Sequence, residues 1–176
     1  PNNCVVSGTV DAINALEKTL TKKGIEAKKI HISVAAHSPQ IEPILDEFRT
    51  FLQKIEFKAP TIPFVSNVTG TWVKQEEVMN PDYWVKHIRQ TVRFSEGLTT
   101  LFNLEDRILM EVGPGQTLST FARQHPDKNN KQLVLASIRH PTETIHDLEF
   151  VLKTLGKLWL SGLELDWEAF HSNEPR

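Results

Sequence analysis

A chain of 176 residues is the size of one domain or a piece of one, large enough to bury a core yet short for a two-layer enzyme with its own lid. Its 39% hydrophobic and 24% charged residues, with only 8 glycines and 10 prolines, exclude a disordered or fibrous chain. Twenty basic against 22 acidic residues leave a formal charge of -2, too little to draw nucleic acid or an anionic membrane, and neither is expected as a partner.

The single cysteine, Cys4, allows no internal disulfide and disfavours a cysteine metal cluster, so a reducing cytoplasm is the expected compartment; separately, no metal or bound cofactor is expected. No apolar run approaches the roughly 20 residues of a membrane span. Pro1-Asn2-Asn3 has neither the basic nor the apolar region of a signal peptide, and the start at Pro1 and the polar finish at Arg176 read as a piece of a longer chain.

Residues 4–7 are β-prone and stop at Gly8, and Thr9 caps a helix that carries Ile13, Leu16 and Leu20 on one face and ends at Gly24. Residues 29–34 alternate and then run apolar as a strand does. Strand, helix and strand over residues 1–34 make half of a ferredoxin-like split unit, a partial small subdomain. Ser38-Pro39 opens a helix with Ile41, Ile44, Leu45, Phe48, Leu52 and Ile55 at helical spacing. Pro60 and Pro63 break the chain before a predicted strand over 62–68, which ends at Thr69-Gly70.

Asn80-Pro81 repeats the cap-and-proline signal ahead of Tyr83, Trp84 and Ile88, and a further helix is predicted over 94–102. A strand over 107–112 stops at Gly113-Pro114-Gly115, and Leu118 and Phe121 mark a short helix. Another strand follows over 132–138, and Thr142-Glu143 opens a long helix with Ile145, Leu148, Leu152, Leu155 and Trp159 inward. Alternation of strand and helix over residues 35–161 predicts an α/β core with a parallel sheet covered on both faces. Residues 162–176 read as an extended tail anchored by Trp167 and Phe170.

His37 stands where a strand gives way to the Ser38-Pro39 helix, with its ring near the positive end of that helix dipole, a position that favours neutral imidazole. A neutral histidine is what a general base needs to take a proton from a serine hydroxyl and return it to a leaving thiol or alcohol. From position alone a corner-filling residue is the commoner outcome, and one histidine identifies no reaction.

The residues around it form an ordered series. Asn3-Cys4-Val5-Val6-Ser7-Gly8, Val34-Ala35-Ala36-His37-Ser38-Pro39, Ser66-Asn67-Val68-Thr69-Gly70, Tyr83-Trp84, Arg93-Phe94 and Glu111-Val112-Gly113-Pro114-Gly115 occur in sequence. Their order and spacing resemble the malonyl-CoA:carrier-protein acyltransferase family. The tail from Leu165-Asp166-Trp167 to Pro175-Arg176 is similar to the linker that follows the acyltransferase in modular polyketide synthases, and the resemblance spans essentially the whole chain. It implies the C-terminal part of an α/β-hydrolase-like core over 35–161, half of a ferredoxin-like subdomain over 1–34, and a post-acyltransferase linker over 162–176.

In that family a serine in a G-H-S-x-G elbow attacks an acyl-CoA thioester, and a histidine matching His37 serves as base and then acid. The acyl unit passes to the phosphopantetheine thiol of an acyl carrier protein. The resemblance implies that a main-chain carbonyl, by position that of Gln90, orients the imidazole, so that two members do the work of a triad. A plain solvated helix-end glutamine is the equal alternative at Gln90. Malonyl-selective members carry H-A-F-H and methylmalonyl-selective ones Y-A-S-H before the shared serine, where this chain has Val34-Ala35-Ala36-His37. Ala36 removes a phenyl ring and by volume leans toward a substituted extender, while Val34 matches neither pattern, and one or two methyl groups in a pocket are worth only about 1–3 kcal/mol. Implied partners are acyl-CoA, the acyl carrier protein, the upstream part of the same acyltransferase and a neighbouring ketosynthase.

The chain departs from the family in having no G-x-S-x-G. Ser7, Ser38, Ser66 and Ser119 all lack the flanking glycines of a strained nucleophile elbow. The family's serine, its oxyanion glutamine and the arginine that grips the malonyl carboxylate lie upstream of these motifs, so the chain alone is expected to transfer nothing. A non-catalytic docking scaffold within a megasynthase, with His37 a relic, is the competing reading. An ordinary hydrolase fragment would need a carboxylate for the histidine, and no candidate stands out.

Among the remaining signals, the proline in Gly113-Pro114-Gly115 removes an N–H from any phosphate nest, which favours a structural turn. His31, His87, His125, His140, His146 and His171 lack zinc-site spacing and read as solvated or core residues. Lys22-Lys23 and Lys28-Lys29 form a small basic patch that suits an acidic carrier protein or, more commonly, a solvated face.

Overall fold

Thr9 accepts the Ala12 N–H at 3.3 Å and opens α1 (Val10–Lys22), beyond which Gly24 turns left-handed at φ 68°. The structure is a computed structural model that describes residues 3–30, 32 and 34–172. The chain divides into two units, Pro1–Asn103 and Leu104–Arg176. Among the described residues of 3–34 no strand forms, and Val5, Val6, Ile30, Ile32 and Val34 are exposed. A strand is stable only when a neighbour takes its N–H and C=O groups, and among the described residues no segment pairs with these runs. His31 and Ser33, part of the predicted second strand, lie outside the described residues, as do Pro1, Asn2 and the Pro175-Arg176 end of the linker motif.

Ser38 is buried and starts the next helical stretch, accepting the Gln40 N–H at 3.2 Å while donating to Ala35 O at 2.7 Å. The stretch is not the continuous α-helix that the spacing predicts. It winds as a 3-10 turn over Pro39–Ile44 before α2 (Leu45–Leu52). Pro43 is the cause, because its nitrogen carries no hydrogen to close an α-type bond to Pro39 and its ring crowds that carbonyl.

The predicted strand over 62–68 shrinks to one antiparallel bridge, Val65 with Trp72, which closes a turn over 66–71. Gly70 sits in this turn at φ 72°, and a β-carbon there would fall 2.6 Å from Glu96 Cβ, so only glycine fits. The unit is completed by α3 (Gln75–Val78), α4 (Pro81–Arg89) and α5 (Phe94–Phe102). Asn80 caps α4 by accepting the Asp82 N–H at 2.9 Å. Ile41, Leu52, Val78, Tyr83, Val85, Leu98 and Phe102 are the buried apolar residues of this unit.

In the second unit β1 (Ile108–Glu111) lies parallel to β2 (Leu133–Ala136), in register from Ile108 opposite Leu133 to Glu111 opposite Ala136. The connection contains α6 (Thr117–Arg123), and Ala122, Val134, Leu135 and Ala136 are buried around it. The chain is therefore α/β with a small parallel sheet, as the alternation predicts.

The second unit ends in α7 (Asp147–Leu160) and α8 (Trp167–His171). α7 begins later than Thr142 because Glu143 is tied into a turn, its carboxylate accepting the His140 N–H at 2.6 Å and its carbonyl accepting Arg139 Nη1 at 2.9 Å. His146 then caps the helix, its Nδ1 accepting the Leu148 N–H at 3.3 Å. The face of α7 that packs is not the predicted one. Thr154 and Leu158 are buried, with Thr154 Oγ1 donating to Ala136 O at 3.0 Å, while Leu148 is 60% and Trp159 55% exposed. A two-stranded sheet covers one side of the helix and leaves the broader apolar stripe uncovered. The tail is not wholly extended either, since Asp166 caps α8 and Trp167 meets the rings of Trp159 and Phe170 edge-on at 6.1 and 5.9 Å.

The Gly113-Pro114-Gly115 turn delivers the chain into α6, whose first N–H groups are taken by Glu111: Leu118 N donates at 3.2 Å and Ser119 N at 2.8 Å. Burial works against the Glu111 charge but is outweighed by these donors and by Arg123, which hold the carboxyl below its ordinary 4.5. The Ser119 hydroxyl has one proton and gives it to Leu135 O at 3.0 Å, so the main-chain groups carry most of the effect. A carboxyl lowered by folding adds stability that is complete above its unfolded value and is lost as pH falls through the folded one. Thermal melts of Glu111→Gln should therefore show a flatter loss of stability below pH 4.5 than the parent chain. Parallel acid limbs in the two proteins would contradict this.

Candidate active site

His37 occupies a turn with φ at 59°, a left-handed conformation that side-chain-bearing residues adopt at a cost of about 1–3 kcal/mol. Two carbonyls from the end of α4 hold it there. Its main-chain N–H donates to Ile88 O at 2.9 Å, and its Nδ1 lies 2.7 Å from Gln90 O. A carbonyl only accepts, so Nδ1 carries a proton, and in the neutral ring Nε2 is the nitrogen with the lone pair. Gln90 is the C-cap of α4 and leaves the helix in an extended conformation, φ −83° and ψ 160°, which turns its carbonyl out of the axial row.

The sequence places the ring at the positive end of a following α-helix. The structure instead sets it against the carbonyl end of α4, where the backbone partial charge is negative, and the stretch after Ser38 is a 3-10 turn. Here the ring has a neutral acceptor and no carboxylate bonded to Nδ1.

Ion pairs align the pieces that make this arrangement. Arg89 of α4 reaches Glu42 of the 3-10 turn at 2.7 Å, and Arg49 of α2 reaches Asp82 of α4 at 2.8 Å. Exposed pairs of this kind contribute about 0–1 kcal/mol each, so they aim the helix more than they stabilise it. His87, one turn before Gln90, stands edge-on to His37 with ring centroids 6.2 Å apart, and it contacts the rings of Tyr83 and Trp84. Burial lowers the His87 imidazole below its ordinary 6.5, and the neighbouring His37 ring lowers it further, which favours the neutral form of His87.

Of the residues singled out in the sequence, His37 and Gln90 are brought together across the chain. Ala36 adjoins His37 in the same turn and is half-buried, while Val34 is 61% exposed. Lys29 of the basic patch is engaged within the chain, by Glu17 at 2.9 Å and Asn14 at 2.8 Å. Sequence reasoning missed His87 and the Ile88 carbonyl. Spacing on α4 offered a signal for His87, since Tyr83, Trp84 and His87 share one helical face. A cavity of about 720 Å³ lies in the second unit, bounded by residues such as Gln116, Arg123, Val134, Phe150 and Lys153, and includes none of these residues.

The His37 imidazole is thus oriented by a main-chain carbonyl where a Ser-His-Asp triad uses a carboxylate. Residues 1–164 match the family described as acyl transferase domain, and the chain belongs to that family. It is 36% identical over 167 residues to a phenolphthiocerol/phthiocerol polyketide synthase polypeptide of Mycobacterium tuberculosis, covering 95% of this chain and 11% of that protein. Its fold superposes on the acyl transferase domain of ZmaA with a TM-score of 0.82 at 35% identity, over 96% of this chain and 38% of that one. The acyl transferase domain of SpnD, solved with 2-(pent-4-yn-1-yl)malonyl, gives the same TM-score, 0.82, and identity, 35%, over 88% of this chain and 38% of its own. The resemblance read from the ordered motifs is thus borne out, and the chain spans well under half of the solved domains it matches. No helix among the described residues is long and apolar enough to cross a membrane.

Proposed function

We propose that this chain is the base-bearing C-terminal portion of a polyketide-synthase acyltransferase that moves a malonyl-type unit from CoA to the phosphopantetheine thiol of an acyl carrier protein. The observation that supports this reading is the 2.7 Å contact between His37 Nδ1 and Gln90 O, an arrangement in which a neutral ring offers Nε2 as the base. A serine from the upstream part of the domain attacks the thioester carbonyl, and its proton passes to His37 Nε2. The C–S bond breaks, and the same proton goes to the departing CoA thiolate. In the second half the carrier thiol gives its proton to Nε2, attacks the acyl-serine, and the serine oxygen takes the proton back. The uncharged Gln90 carbonyl holds the ring through both halves.

Acyl-CoA and the carrier protein are substrates and partners in this scheme, and the upstream segment and a ketosynthase are its neighbours. Val34 and Ala36 border the acyl site, and Ala36 favours a substituted malonyl unit because it leaves the space that a phenyl ring would fill. The test is the fate of labelled malonyl-CoA in the intact domain supplied with carrier protein. Label on the carrier thiol is expected, and label appearing chiefly as free malonate would point to a hydrolase instead.

A further inference from the structure

The position of the Gln90 carbonyl depends on how the chain is held where it leaves α4. Ahead of Gln90, Tyr83 Oη donates to Ser66 Oγ at 2.9 Å, a bond between two buried groups, 7% and 1% exposed. Beyond Gln90, the Arg93 N–H donates to Asn67 O at 2.9 Å. Both attachments end on adjacent residues of the same turn, with Gln90 between them.

The turn itself has little freedom. Ser66 Oγ also accepts the N–H groups of Val68 at 3.1 Å and Thr69 at 3.3 Å. Ser66 N donates to Thr71 O, and Gly70 N to Ser66 O, both at 2.8 Å, while Thr100 Oγ1 of α5 donates to Gly70 O at 2.6 Å. At Gly70 the backbone lies too close to Glu96 for any side chain. The turn is thus a fixed block on which α4 and the 90–93 segment are hung.

We propose that Ser66 and Tyr83 are positioning residues for acyl transfer, their buried hydrogen bond setting the reach of the Gln90 carbonyl to His37 Nδ1. This rests on the reading of His37 as the base. Losing the bond frees α4 to shift against the turn, and a displacement of about 1 Å is enough to misalign a catalytic group and slow its reaction. A pair that served stability alone would leave the imidazole where it is.

Tyr83→Phe removes only the donating hydroxyl and keeps the ring packing, so it is the variant of choice. Ser66→Ala, which strands the tyrosine hydroxyl and two main-chain donors, is the harsher companion. In the intact acyltransferase domain, Tyr83→Phe is expected to lower kcat about three- to tenfold with little change in KM for acyl-CoA. It should also shift or broaden the His37 Nδ1–H proton resonance, identified by its loss in His37→Ala. Wild-type kcat and an unmoved resonance, with only a lower Tm, would overturn the proposal. Transfer that is indifferent to His37→Ala would bring down the base assignment instead, and the Nδ1–H resonance would still decide whether Tyr83 and Ser66 position the ring.

Discussion

Alanine at position 37 of the intact acyltransferase is expected to cut kcat for carrier-protein loading by about 10²–10⁴-fold, the usual contribution of a general base. KM for acyl-CoA should change little, because Nε2 acts on protons in flight rather than on the bound acyl group. The backbone adds a complication, since φ at 59° is unfavourable for alanine. Asparagine tolerates this region better, so His37→Asn separates the loss of the base from the strain of the turn. Both variants should lose transfer together, measured as label reaching the carrier thiol. A scaffold role for this part of the protein predicts full activity in each.

The second large effect concerns the 176-residue chain on its own, which should neither hydrolyse nor transfer acyl groups. A base without an elbow serine forms no acyl-enzyme, and no serine in this chain has the glycines that expose a nucleophile at a strand-to-helix turn. Ser66 and Ser119, the most buried serines among the described residues, spend their hydroxyls inside the fold, the first on Val68, Thr69 and Tyr83 and the second on Leu135. Mixing acyl-CoA with the purified chain and following free thiol release gives the answer. Sustained release above the rate in buffer would mean that the nucleophile has been sought in the wrong place.

Local signals carried much of the fold. The cap and proline of Asn80-Pro81 mark the start of α4, and the predicted helix over 94–102 forms as α5. The strands ending at Gly113 and near Ser137 form with shorter bounds, as the ends of pairing often do. What misled the reading was context. Pro43 breaks the helix that the apolar period predicts, and among the described residues nothing pairs with the β-prone runs of 3–34. α7 has two apolar-leaning faces, and periodicity cannot say which one meets the sheet.

The site was legible only by resemblance. His37 and Gln90 are 53 positions apart, and the contact between them depends on a main-chain carbonyl, which no residue pattern encodes. The same holds for Ile88 O. Ser66 and Tyr83 are visible as a serine and a tyrosine in family-like motifs, yet their bond appears only once the turn and α4 are placed.

The far side of β2 bears on how the sheet can be extended. Val134 and Ala136 turn their carbonyls away from β1, and these are occupied by Arg123 Nη2 at 3.5 Å and Thr154 Oγ1 at 3.0 Å. Side chains thereby stopper that border against edge-to-edge pairing. A strand that joined this sheet would meet those side chains at β2, so pairing beside β1 is the less obstructed of the two.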